Sequence, residues 1–257
     1  MKGRSQKYRW FGNVLLFIMA ISCATPAGLE EKRKQAEASR LLGEAYLAQE
    51  NYTSALREFL KAEQIYSGDP YLYNGLGLAY MAKNQLGLAI KSFEKAIDIK
   101  PDYAPARNNL GTAYLAAKDW DQAIVCFSEL TGDLLYATPH FPLSNLGLAY
   151  YNKRDFRRAE ANYLKALELR PDFVLALRGL GRTYIAMGRI AAAVQAFEKA
   201  VRLAPQSSQT HFDLGHAYRL LKQYDRARNA FREVLELAPD APIAEEARKE
   251  LEAIVDF

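Results

Sequence analysis

Few side chains in this chain of 257 residues stand where chemistry could be done. The three histidines, His140, His211 and His216, share no helix face at metal-ligand spacing. His211 and His216 are five residues apart, which separates them by about 140° around a helix at 100° per residue. The chain has no phosphate-cradling glycine loop, no paired-cysteine metal motif and no nucleophile elbow. Asn51-Tyr52-Thr53 has the form of a glycosylation acceptor, a short pattern that chance supplies readily. Two cysteines remain. Cys126 lies in a helical pattern and reads as a small packed side chain, because a lone thiol cannot close an internal disulfide. Cys23 has a different setting: Lys2, Arg4, Lys7 and Arg9 precede an apolar run over residues 14–21, and small Ser22 precedes the cysteine. A basic stretch followed by an apolar run too short to span a bilayer is a secretory signal. Without an acid–base pair in a pocket, no catalysis is expected, and with it no metal, cofactor or small-molecule substrate.

Ala20-Ile21-Ser22-Cys23 resembles the bacterial lipobox, with Ala20 in place of the leucine usual three residues before the cysteine. The resemblance implies that Cys23 becomes the first mature residue, takes a thioether-linked diacylglycerol and is then N-acylated. Cleavage after Ala24, or an uncleaved anchor, is the alternative. Two or more acyl chains anchor a protein stably where one does not. In lipoproteins of this kind an aspartate after the cysteine favours the inner membrane, so Ala24 implies the periplasmic face of the outer membrane. Residues 24–28 are linker-like and reach at most about 18 Å, which holds the following segment near the membrane. The formal charge of +4 resides in the four basic residues of the signal; from residue 23 onward 30 basic side chains balance 30 acidic ones. The electrostatic footprint of a nucleic-acid partner is therefore missing.

What must position any functional residue beyond Cys23 is a repeat. Leu-Gly-x-x-Tyr recurs with its glycine at Gly43, Gly77, Gly111, Gly147, Gly181 and Gly215, at spacings of 34, 34, 36, 34 and 34. Twelve residues after each stands an alanine (Ala55, Ala89, Ala123, Ala159, Ala193, Ala227), and four later an aromatic: Phe59, Phe93, Phe127, Tyr163, Phe197 and Phe231. This resembles the tetratricopeptide pattern, in which each unit is a helix pair that buries its apolar face on its neighbours. With the glycine as position eight, units begin at Ala36, Pro70, Ala104, His140, Val174 and Ser208. Positions four, seven, eight and eleven share one face of the first helix, and position seven is leucine in all six units, so it reads as core. Pro101, Pro171, Pro205 and Pro239 punctuate the ends of second helices. The third unit differs: Leu130 replaces alanine at position 27, and two residues are added within 134–142, either as a tolerated insertion or as a bend or contact loop. After Pro239, Ile243, Ala247, Leu251 and Ile254 at helical spacing among charges read as a solvating cap. The expected architecture is an all-α, right-handed superhelical solenoid: signal 1–22, lipidated cysteine and tether 23–35, six repeats 36–239 and a capping helix 240–257.

In tetratricopeptide proteins the concave side is lined mainly by first helices, through positions two, five, nine and twelve. In units two to four these positions include Tyr71, Asn74, Leu78, Met81, Asn108, Leu115, Phe141, Leu148 and Tyr151, an apolar and aromatic strip dotted with Asn. Further along, Arg178, Arg182, His216 and Arg219 make the groove basic. A long exposed apolar strip marks a protein partner, unless the superhelix closes and buries it. Arg178 and Arg182 stand four apart and repel, which suits an acidic partner group; the alternative is two surface arginines without one. The Lys/Asn clamp that chaperone-binding members use for a C-terminal carboxylate is missing from positions five and nine.

The lipobox, the short tether, six units and a cap together resemble the type IV pilus biogenesis lipoproteins known as pilotins. The similarity runs over the whole chain, including the proline-containing insertion before Asn145-Leu-Gly-Leu-Ala-Tyr-Tyr151. The resemblance implies an outer-membrane lipoprotein that binds secretin subunits and promotes their localisation and assembly into the ring through which the pilus passes. From the groove positions, the contact is expected on Tyr71, Leu78, Met81 and Asn108, in a peptide-in-groove mode. A periplasmic scaffold that docks cell-wall enzymes or another envelope complex is the other reading, because a groove does not name its ligand.

Overall fold

The computed structural model describes residues 26–132 and 137–255. Through them run thirteen α-helices: α1 (Pro26–Ala48), α2 (Tyr52–Ile65), α3 (Pro70–Ala82), α4 (Leu86–Ile99), α5 (Ala104–Ala116), α6 (Trp120–Gly132), α7 (His140–Asn152), α8 (Phe156–Leu169), α9 (Val174–Ala186), α10 (Ile190–Leu203), α11 (Ser208–Leu220), α12 (Tyr224–Leu237) and α13 (Pro242–Val255). Cys23 and the signal lie outside the described residues, as do residues 133–136 of the insertion. None of the described helices is long and apolar enough to cross a membrane.

Each unit is an antiparallel pair closed by the same turn. The residue at position 15 takes the left-handed conformation in all six units: Glu50, Asn84, Lys118, Arg154, Gly188 and Lys222 have φ between 57° and 74°. That conformation lets the next N–H reach back to the tyrosine carbonyl at position 11, as in Asn51 N–H to Tyr46 O and Asp119 N–H to Tyr114 O, both at 2.9 Å. This is the six-to-one bond that satisfies a helix C-terminus. Three of the second helices start on capping side chains: Asn51 Oδ1 accepts from Ser54 N–H, Asp119 Oδ1 from Gln122 N–H and Asp155 Oδ1 from Arg158 N–H, whereas Gln85, Arg189 and Gln223 ahead of α4, α10 and α12 make no such bond. Asn51 thus has a structural use that its glycosylation-like context does not suggest.

Within a pair, the aromatic at position 24 lies flat on the glycine at position eight. A Cβ on Gly43, Gly77, Gly111, Gly147, Gly181 or Gly215 would lie 2.4–2.8 Å from that ring. Phe59, Phe93, Phe127, Phe197 and Phe231 are fully buried as a result. Between units, each second helix packs on the first helix of the next, and first helices also touch one another from α1·α3 through α9·α11 to α11·α13. Second helices do not touch each other among the described residues. First helices are therefore the inner layer of the superhelix and second helices the outer one.

Two details correct the sequence reading. α1 begins at Pro26, inside the stretch 24–28 that reads as a linker, with proline tolerated in the first turn where its missing N–H is no loss. Leu42 is 44 % exposed although Leu76, Leu110, Leu146, Leu180 and Leu214 at the same position are buried. Those five lie under the second helix of the preceding unit, and among the described residues α1 has no such helix before it. At the other end α13 lays Ala247, Ile254, Ile243 and Leu251 on the cluster of Leu214, Tyr218, Phe231 and Val234. Leu130 is buried beside Phe127 and Leu146, so the third unit's larger side chain is a core filling.

Candidate functional site

The inner layer brings the expected groove residues onto one side, but they do not form one exposed strip. Leu78 and Met81 are half-buried against Phe93, Leu110 and Cys126, and Leu115 is half-buried against Phe127 and Leu146. They belong partly to their own core, so charged substitutions there would disturb the array as well as any partner. Asn74 Oδ1 accepts from Asn109 Nδ2 at 2.9 Å across the α3–α5 contact, while Asn108 Oδ1 is buried without a hydrogen-bond partner among the described residues. What stays exposed falls into two patches.

The first surrounds Tyr71, at the start of α3. Its ring meets Tyr103 edge-on at 5.1 Å, the Arg40 guanidinium lies over it at 5.7 Å, and Lys100 Nζ donates to its hydroxyl at 3.1 Å. Arg40 in turn pairs with Glu44 at 2.6 Å and Asp69 at 2.9 Å. Its own chain therefore already supplies cation and aromatic partners to Tyr71.

The second patch is a cleft of about 180 Å³ between α7 and α9, lined by Ser144, Asn145, Leu148, Tyr151, Leu175, Arg178 and Arg182 with Tyr163 and Gly179 at its base. Leu148 and Leu175 are 41 % and 58 % exposed. Phe141, about two turns before Leu148 on α7, is packed against the rings of His140 at 4.4 Å and Phe173 at 5.2 Å. Leu175 was legible, since it occupies the same second position as Tyr71 and Phe141.

The basic end is not an uncompensated field. Arg178 Nε donates to Asp213 Oδ2 at 2.9 Å, and Arg182 Nη2 to Asp213 Oδ1 at 2.9 Å. Asp213 is buried and holds both guanidinium groups from the next unit. Arg219 pairs with Glu250 of α13 at 2.8 Å. Neither reading of Arg178 and Arg182 from sequence, an external acid or no acid at all, anticipated a carboxylate from position six of the following unit. At the same position Gly75 and Gly179 lie against the rings of Phe59 and Tyr163, so the register points to the preceding second helix. The histidines stay apart: His140 lies beside Arg170, His211 Nε2 is 2.9 Å from Pro205 O, and burial and then Arg219 lower the His216 pKa.

A family model described as tetratricopeptide repeat matches residues 27–70, 144–208 and 180–242, more than half of the chain. A TPR repeat model matches residues 77–118. A search of curated protein sequences finds no match. Among solved structures, the chain is similar to PilW, a widely conserved type IV pilus biogenesis factor, at 20 % identity and a TM-score of 0.75, over 86 % of this chain and 98 % of that one. It is similar to pilF of Pseudomonas aeruginosa at 20 % identity and a TM-score of 0.71, over 87 % and 99 %. The APC/C hetero-tetramer Cut9–Hcn1 gives 18 % identity and a TM-score of 0.66, over 90 % of this chain and 49 % of that one. Identities this low speak for the fold, which serves proteins of quite different roles.

Proposed function

The chain belongs to the tetratricopeptide repeat family, and on that premise we propose that it is a non-catalytic outer-membrane lipoprotein that binds secretin subunits and promotes their localisation and assembly for type IV pilus biogenesis. The observation that carries the reading is the α7–α9 cleft, where Leu148 and Leu175 stay 41 % and 58 % exposed on the inner layer among the described residues. Exposed apolar area of this kind is kept where a partner covers it. Likeness in fold to PilW, a type IV pilus biogenesis factor, and to pilF over nearly the whole length of both supports the choice of pilus biogenesis as the setting. Cys23 supplies the anchor in this reading, and the lipid delivers the bound secretin segment to the outer membrane while the groove holds it.

Deletion of the gene should abolish heat- and detergent-resistant secretin multimers in outer-membrane fractions. The wild-type gene should restore them, Cys23→Ser should mislocalise them, and Leu148→Glu should fail to restore them while the protein accumulates normally. Normal multimers in the deletion strain would remove the secretin reading, and co-purification of peptidoglycan enzymes in their place would move the protein to the scaffold class.

A further inference from the structure

The six position-24 aromatics are phenylalanine except Tyr163, whose phenol has a hydroxyl to place. Tyr163 is 3 % exposed, and its ring crosses the next first helix at Gly179, where a Cβ would lie 2.5 Å from the hydroxyl oxygen. The missing side chain at Gly179 is what lets the hydroxyl reach the base of the α7–α9 cleft. There the polar groups that act on it are Arg182 and Tyr151, and a buried phenol normally finds a hydrogen-bond partner. Above it stand two guanidinium groups sharing one carboxylate, Arg178 and Arg182 on Asp213, which leaves the cleft one positive charge in excess. Arg182 keeps 44 % of its side chain exposed, so a planar N–H edge remains open to a second acceptor. Along the groove these polar groups are flanked by apolar ones. Leu175 lies a turn before Arg178 on α9, and Leu148 and Tyr151 lie on the later turns of α7.

We infer that the α7–α9 cleft is a receptor for an internal Asp or Glu side chain of a partner segment that carries a bulky apolar residue on either side of the acid. The carboxylate accepts hydrogen bonds from Tyr163 and Arg182, and the flanking side chains cover Leu175 and Leu148. Burial raises the Tyr163 pKa, so the phenol keeps its proton and donates. An acid is preferred to an amide at this point because the cleft carries excess positive charge, and an internal acid is preferred to a chain terminus because apolar contact surface continues on both sides of the arginines. The inference rests on the groove being the partner site and adds the chemistry it reads.

The test uses the full chain and a displayed library of short peptides, N-acetylated and C-amidated when resynthesised, in which one Glu is flanked by leucines at varied spacing. A selected peptide should lose about tenfold in affinity when its Glu becomes Gln, the effect of removing a charge-assisted bond. Tyr163→Phe, which restores the ring used by the other five units, and Arg182→Gln should each weaken the Glu peptide about three- to tenfold and leave the Gln peptide unchanged. Equal binding of the two peptides, indifference to Tyr163→Phe, or a library that returns no acidic sequence would overturn the inference. So would a peptide that binds better when its acid is the free C-terminus. If acid selectivity fails while Leu148→Glu still abolishes secretin multimers, the groove reading stands alone. If Leu148→Glu changes neither peptide binding nor multimers, the groove reading falls as well.

Discussion

Glycine has three separate roles in this chain, and a single methyl group distinguishes them. At Gly77 an added Cβ would lie 2.4 Å from the fully buried Phe93 ring. Overpacking costs about 1–3 kcal/mol and exceeds the gain of about 1 kcal/mol in helix propensity, so Gly77→Ala should lower the urea midpoint. At Gly188 no atom lies within 4 Å, but φ is +74°, and alanine there should cost about 1 kcal/mol through backbone strain alone. Gly87 meets neither constraint, near the start of α4, and Gly87→Ala should raise the midpoint by up to about 1 kcal/mol. A Gly87→Ala midpoint below that of either other variant would mean the assigned roles are wrong. The first role was legible, because a glycine recurring at one phase of a 34-residue period must make room for something. The second was not, because five of the six left-handed positions are Glu50, Asn84, Lys118, Arg154 and Lys222. There the six-to-one bond at the helix end imposes the conformation against the residue's own preference. Cys126 was legible as a packed thiol, and its pKa is pushed up to about 11, chiefly by burial with Glu129 adding to it. At pH 8 iodoacetamide should therefore label it slowly in the folded chain and quickly in urea; equal rates would show an open α5–α6 pair.

At the scale of elements, α13 is where packing and titration meet. Its spacing of Ile243, Ala247, Leu251 and Ile254 marked it as a cap, but the polar half of its contact could not be read from one helix at a time. Glu250 reaches Arg219 on α11, and His216 on the same helix has its pKa lowered by burial first and by Arg219 second, against the opposing pull of Glu250 and Asp213. Lowering means that the unfolded chain binds a proton more readily than the folded one, so stability rises with pH. The His216 contribution is fully present above about 6.5, the ordinary histidine value, and is lost as pH falls below it through the depressed folded value. His140, lowered by burial and by Arg170, acts in the same direction. Urea midpoints measured between pH 5 and 7.5 should fall toward acid in the wild-type chain, and His216→Gln should flatten part of that slope. An unchanged or steeper slope in the variant would show that His216 is already solvated in the folded state, with α13 not seated as described. The groove shows the same limit of single-helix reading: Leu148 and Leu175 could be placed from their register, but Asp213 could not, because its pairing with Arg178 and Arg182 crosses two units.

A solenoid is stabilised unit by unit, so the whole molecule inherits the difference between its two ends. A repeat pattern treats every unit alike, and position seven is leucine six times; burial depends instead on what lies next in space. At the C-terminal end α13 covers the last pair, whereas α1 exposes Leu41 and Leu42 at 51 % and 44 %. Leu180→Ala in the middle should therefore cost about 2–4 kcal/mol, the range for a leucine deleted from a packed core. Leu42→Ala should cost within about 0.5 kcal/mol, as a surface change does. Hydrogen exchange should follow the same gradient, with amides of α1 and α2 opening well before those of α9 to α12, because among the described residues the outer pair is held from one side only. Equal costs for Leu42→Ala and Leu180→Ala, together with strong protection of α1, would mean that the α1 face is covered in solution. Sedimentation at increasing protein concentration then separates the causes: a second copy on α1 would appear as a dimer that Leu42→Lys dissociates, and a monomer at all concentrations would assign the cover to the chain itself.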